Sequence, residues 1–171
     1  MDVISHGLWG GIAFGRKSKK LYWLAFVFGL MPDALSFGIF TVASFLGFVS
    51  GPDWEGGLPD PSIIPQFVHT LYNITHSLLI FAFVFGLVYL IIKKPFLPLL
   101  AWGLHILVDI PTHSYAFFPT PFLWPVSSFM VNGINWGQPI IFYPDIILLA
   151  GCYLLWWINI RKSVTSRKYE V

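Results

Sequence analysis

No lysine or arginine falls inside any of the long apolar stretches of this 171-residue chain. All ten are confined to three short clusters: Arg16, Lys17, Lys19 and Lys20; Lys93 and Lys94; and Arg161, Lys162, Arg167 and Lys168. Charge is scarce throughout. Only 11% of residues are charged, against about 25% in soluble domains, and the mean hydropathy is +0.72. An ordinary soluble domain is excluded on that balance. The net charge of +2 carries no nucleic-acid footprint, because the basic groups punctuate apolar segments and do not gather on one face. The single cysteine, Cys152, lies in an apolar run and excludes a disulfide framework. Neither an internal repeat nor a low-complexity tail is visible. A cleavable signal peptide is not expected, since the first basic cluster follows the first apolar stretch. The expectation is one integral membrane domain over residues 1–171.

What is present is hydrophobic length. A membrane-spanning helix needs about 20 apolar residues. Four segments qualify: 21–50, 70–92, 96–118 and 139–160. The first is longer than a crossing requires and contains Gly29, Pro32, Gly38 and Gly47, so a tilted or broken helix is expected there. The third needs Pro98 in its first turn and a kink at Pro111. Residues 2–15 are too short for an ordinary crossing and read as a short N-terminal helix, buried, re-entrant or interfacial. The predicted fold is therefore an all-α polytopic bundle of four spanning helices plus this short helix. The excess of Lys and Arg on cytoplasmic loops places all three basic clusters and the C-terminus in the cytoplasm, in what reads as a prokaryotic cytoplasmic membrane. Loop 51–68, with Asp53, Glu55 and Asp60, and loop 119–138, with no charge, then lie outside.

Against this background the remaining ionisable groups stand out. Asp33, Asp109 and Asp145 lie within apolar stretches, as do His6, His76, His105 and His113. The assigned orientation brings them to the outer half of the bilayer, whereas the inner half is almost wholly apolar. Each Asp at a helix centre costs about 2.5–3.5 kcal/mol to insert, and no Lys or Arg lies in a span to offset it. The local pattern His105-x3-Asp109-x3-His113 keeps three ligand-type residues within about 80° of one helix face. In isolation this spacing equally suits a His–Asp hydrogen bond one turn apart. In context, neutral imidazoles mixed with carboxylates suit a divalent cation. His69 lies near a boundary and reads as an interfacial histidine.

With those residues in view, the chain resembles the YdjM-like family of membrane-bound, predicted metal-dependent hydrolases. His6-Gly7 is similar to the family's opening His, and Gly29-Leu30-Met31-Pro32-Asp33 to its G-x-x-P-D stretch. Thr75-His76-Ser77 matches its T-H-S motif. The run His105-Ile106-Leu107-Val108-Asp109-Ile110-Pro111-Thr112 resembles its H-x-x-x-D-x-x-T helix. Trp124-Pro125-Val126-Ser127 and the late Asp145 fit its loop and C-terminal acid.

The functional expectation is a membrane-embedded metal-dependent hydrolase acting on a phosphoester or lipid-like substrate near the outer leaflet. His6, Asp33, His76, His105 and Asp109 are the expected ligands of one or two divalent ions, with zinc the expected metal. Asp109, His113 and Asp145 are the expected catalytic groups. Two alternatives use the same residues: an ion- or proton-coupled transporter, and a non-catalytic structural membrane subunit.

Overall fold

The computed structural model describes residues 1–51 and 59–169, with side chains as far as Arg161. Asp53 and Glu55 of the expected outer loop, and the side chains of Lys162, Arg167 and Lys168, lie outside the described residues. Within them the protein is all-α and contains no strand.

The first two helices form a tight hairpin. Asp2 caps α1 (Val3–Phe14), its carboxylate accepting from the Ser5 N–H at 3.0 Å. Ser18 caps α2 (Lys19–Asp33) in the same way through the Leu21 N–H. Such caps satisfy otherwise orphaned N–H groups of a first turn. Glycines set how closely the two helices approach. A Cβ on Gly29 would stand 2.4 Å from the His6 carbonyl oxygen, and one on Gly10 would stand 2.6 Å from that of Ala25. Lipid gives helices no hydrophobic reason to associate, so small residues that allow backbone contact carry much of the packing. This is why a segment too short to cross the membrane unaided sits at the heart of the protein.

The expected break in segment 21–50 is found and has a local cause. Pro32 lies inside α2 without an N–H to donate. The chain then makes a π-helical turn, Ala34–Gly38, before α3 (Ile39–Phe45). Ser36 Oγ, at 2.9 Å, and Thr75 Oγ1, at 3.2 Å, both donate to the Pro32 carbonyl. Lys19–Phe45 as a whole remains long and apolar enough to span a membrane.

Two other segments depart from the expected boundaries. Residues 70–92 are not one straight helix. They divide into α4 (Gln66–Thr75) and α5 (Leu78–Ile92), bent by 56° at His76-Ser77. Ser77 Oγ caps α5 through the Ile80 N–H, and the Leu78 N–H donates to the Phe122 carbonyl across the fold. The loop therefore supplies what the helix gives up. Segment 96–118 is helical only through a short 3-10 turn (Leu97–Leu99) and α6 (Leu100–Thr112). Beyond Thr112 the carbonyls of Pro111, Thr112 and His113 accept from the N–H groups of Ile134, Trp136 and Gly133, respectively, at 2.8–2.9 Å. That pairing replaces further helix and folds loop 119–138 back onto the bundle.

The last helix, α7 (Pro139–Tyr169), begins where expected and runs beyond 160. Among the described residues, two helices are long and apolar enough to cross a membrane, or three if the bent α4–α5 pair is one span. The expected count of four is therefore not reached among the described residues: α6, with its 3-10 turn, is apolar but too short to count as a span by the same measure. Two apolar clusters flank the centre. One joins Phe40, Val68, Tyr72 and Phe118, the other Leu99, Trp102 and Ile106.

Candidate metal centre

The interruptions converge. Asp33 ends α2 just before the π-helical turn, His76 lies at the α4–α5 break, and His105 and Asp109 are one turn apart near the end of α6. All four are buried. One ligand atom from each lies within 4.8 Å of every other, and this group could hold a metal ion.

The separations are informative. His76 Nε2 is 3.0 Å from His105 Nε2. Asp109 Oδ2 is 3.0 Å from His105 Nε2 and 3.6 Å from His76 Nε2. Asp33 Oδ1 is 3.4 Å from His76 Nε2 and 3.9 Å from His105 Nε2. Four ligands tetrahedrally disposed at bond lengths of about 2.0–2.1 Å would be about 3.3–3.4 Å apart. The five values straddle that length.

Proton placement supports the same reading. His105 Nδ1 is 2.6 Å from the Gly29 carbonyl, and His76 Nδ1 is 3.1 Å from the Tyr72 carbonyl. A carbonyl only accepts, which assigns the proton of His105 to Nδ1; His76 Nδ1 also lies 3.0 Å from Thr75 Oγ1, but that hydroxyl donates to the Pro32 and Leu71 carbonyls, which assigns the His76 proton to Nδ1 as well. With both rings neutral, the two Nε2 atoms turn lone pairs toward each other and toward Asp109 Oδ2, which has no hydrogen-bond partner among the described residues. Electron pairs gathered this way in a dry interior are relieved by a positive centre between them, a metal ion or a shared proton. Backbone carbonyls that fix the distal nitrogen are the usual support of metal-binding histidines. The donor chemistry and its supports therefore fit a divalent ion.

The other oxygen of Asp109 faces a second group. His6 Nε2 is 2.9 Å from Oδ1, the Met1 amino nitrogen 2.6 Å and His113 Nδ1 3.3 Å. The His6 ring is stacked on His105, with centroids 3.7 Å apart. His6 and His113 thus adjoin the four-residue group through Asp109 and are not members of it.

Asp145, expected among the catalytic residues, is placed differently. Ser5 Oγ donates to Oδ2 at 2.6 Å and Trp9 Nε1 to Oδ1 at 2.7 Å. With the Tyr153 hydroxyl, which donates to the Leu8 carbonyl at 2.9 Å, these bonds clasp α7 to α1. Asp145→Asn is expected to leave metal content unchanged and to lower thermal stability, by about 1–3 kcal/mol for hydrogen bonds to a buried charged group. Metal analysis alongside thermal unfolding checks this, and metal loss would return Asp145 to the site. His69, expected at a boundary, meets the Pro61 carbonyl and stacks on Phe118, apart from the cluster.

Sequence reasoning missed the supports. Tyr72 stacks on His76 with centroids 3.8 Å apart and also lends its carbonyl. Trp102 Nε1 donates to the Thr75 carbonyl at 2.6 Å. A carbonyl has no residue signature. Only the placement of Tyr72 four residues before His76 was available as a hint.

An all-α protein with apolar helices around a buried His/Asp group able to hold a metal is, in class, a helical membrane protein with a candidate metal centre. A family model described as "YdjM inner membrane protein" matches residues 1–168, and the chain belongs to that family. No curated protein and no solved structure matches it.

Proposed function

We propose that the protein is a metal-dependent hydrolase of lipid-like esters or phosphoesters, with one divalent ion, zinc by its donor set, held by Asp33, His76, His105 and Asp109. The observation that carries the reading is the pair of Nε2 atoms facing each other at 3.0 Å, each ring met from behind by a carbonyl. A divalent ion in that position supplies Lewis acidity and a source of hydroxide near neutral pH. The chain's own residues do the rest. Asp109 ties the ion-binding group to His6 and His113 through its second oxygen. His113 lines a cavity shared with Asp33, from which its imidazole passes protons between the site and a leaving group.

Topology supports an outer location. Along α2 and α5 the basic cluster and the site lie at opposite ends, separated by 13–17 residues, or roughly 20–25 Å of helix. With basic clusters cytoplasmic, the site lies toward the outer leaflet.

Purified protein is expected to contain about one ion per chain. Prolonged chelation should lower its melting temperature, because an ion that binds only the folded state stabilises it by mass action. Elemental analysis and thermal unfolding with and without chelator check this. Metal-free protein that is indifferent to chelation would refute the proposal.

A further inference from the structure

A cavity of about 420 Å³ opens beside the candidate metal centre, within the range of about 300–1,000 Å³ typical of small-ligand sites. Asp33 and His113 stand on its wall, where it meets the site. Away from them the wall is largely aromatic, with Phe37, Phe40, Phe117 and Phe118. Its other end reaches α3, where Thr41 is exposed and Phe45 and Phe48 are 90% and 79% exposed. In a membrane those side chains face acyl tails, so the cavity has a route to lipid.

Its charge is one-sided. Among the described residues no Lys or Arg lines it, while Asp2 and Asp33 do. Segment 52–58, Pro-Asp-Trp-Glu-Gly-Gly-Leu, holds no basic residue by sequence. The Met1 amino group on its wall is engaged by Asp109 Oδ1 at 2.6 Å. Asp2, Asp33 and Asp109 bring three negative charges, which a divalent ion and the Met1 ammonium together balance. A phosphate group would then add uncompensated negative charge in a low-dielectric site next to two acids. Enzymes that handle phosphoryl groups surround them with Arg, Lys or further metal. An uncharged carbonyl has no such requirement. One polar group remains to be matched: Ser44 Oγ, on the cavity wall, is buried without a hydrogen-bond partner among the described residues.

We propose that this cavity takes the single hydrocarbon chain of an uncharged carboxylic ester, such as a monoacylglycerol, and selects against phosphate-bearing lipids of the same chain length. The inference rests on the hydrolase reading and narrows its substrate. The reaction consumes one water. The acyl C–O bond breaks, the water oxygen ends on the acyl carbon, the alcohol leaves with a proton, and the acid departs as carboxylate with release of the second proton. Ser44 Oγ is placed to bond a polar oxygen of the substrate.

The test uses full-length protein in detergent micelles and a monoacylglycerol with a diazirine in its chain. Light-induced labelling is mapped by mass spectrometry, and unlabelled 1-oleoylglycerol and 1-oleoyl lysophosphatidate compete. Labelling is expected on peptides carrying Phe37, Phe40 or Phe117, with the neutral lipid competing at least 10-fold more effectively. Ser44→Arg should narrow or invert that preference. Thr41→Arg, at the exposed mouth, asks the same if Ser44→Arg does not fold. Equal or stronger competition by lysophosphatidate in the wild-type protein would overturn the inference, as would labelling confined to lipid-facing α7. Metal content of the same sample separates the two proposals. Selective labelling of metal-free protein removes the hydrolase reading and keeps the pocket, whereas metal without selectivity removes the pocket alone.

Discussion

Asp109→Ala is expected to abolish metal binding and, with it, any metal-dependent activity. Both oxygens of this carboxylate are committed. Oδ2 is 3.0 Å from His105 Nε2, and Oδ1 stands 2.9 Å from His6 and 3.3 Å from His113. The substitution removes a proposed ligand and the bridge to two further imidazoles together. Loss of an outer partner alone costs roughly 10–100-fold in metal affinity, and loss of a ligand should exceed that. Removing one member of a buried charged group also costs about 3–5 kcal/mol of stability. Asp109→Asn separates the two effects, since it keeps the shape and removes the charge. It should fold better than the alanine variant while remaining depleted of metal. Elemental analysis of the purified variants decides the matter, and wild-type metal content in either one would remove Asp109 from the site.

Gly29→Ala should be as damaging, although position 29 offers no chemical group of its own side chain. The added methyl would meet the His6 carbonyl oxygen at 2.4 Å. Main chain cannot rotate away as a flexible side chain can, so α1 must move off α2. Overpacking a core costs about 1–3 kcal/mol, and a backbone obstacle puts this site at or above the upper end. The group is disturbed from two sides: His6 on α1 meets Asp109 at 2.9 Å, and the Gly29 carbonyl orients His105 at 2.6 Å. Loss of bound metal is expected along with loss of stability. Gly86→Ala is the control, because nothing stands within 4 Å of its added Cβ. In a helix it should be neutral or stabilise by up to about 1 kcal/mol. Similar behaviour of the two variants in thermal unfolding would mean that the close approach of α1 and α2 is unimportant.

These positions show what could and could not be read from sequence. The membrane character followed from the confinement of Lys and Arg to three clusters, and His76, His105, Asp33 and Asp109 stood out because carboxylates and imidazoles in apolar runs require an explanation. The bend at His76-Ser77 was hidden. The run from Leu71 to Ile92 is apolar or aromatic apart from Asn73, Thr75, Ser77 and His76, and the bond that supports the break runs from Leu78 to Phe122, 44 residues away. The early end of α6 had a visible cause in Pro111, but the loop that takes over its carbonyls lies more than 20 residues downstream. Asp145 had the same sequence signature as Asp109. Only tertiary structure gives one to a hydrogen-bonded clasp on α1 and the other to the cluster. The short N-terminal segment was legible as a helix, while its central position depended on glycine contacts that no linear pattern reveals.

The polar cluster draws its members from the ends of α2, α4 and α6, with α1 against them. Helices inserted separately into a bilayer have no water to drive them together. In such a setting a shared cation is a fastener as much as a reagent: it engages only after the separate rods have been laid side by side, and it locks their order. On the proposed reading, the last event in the assembly of this chain is capture of an ion, and a membrane starved of metal would hold an unfinished bundle.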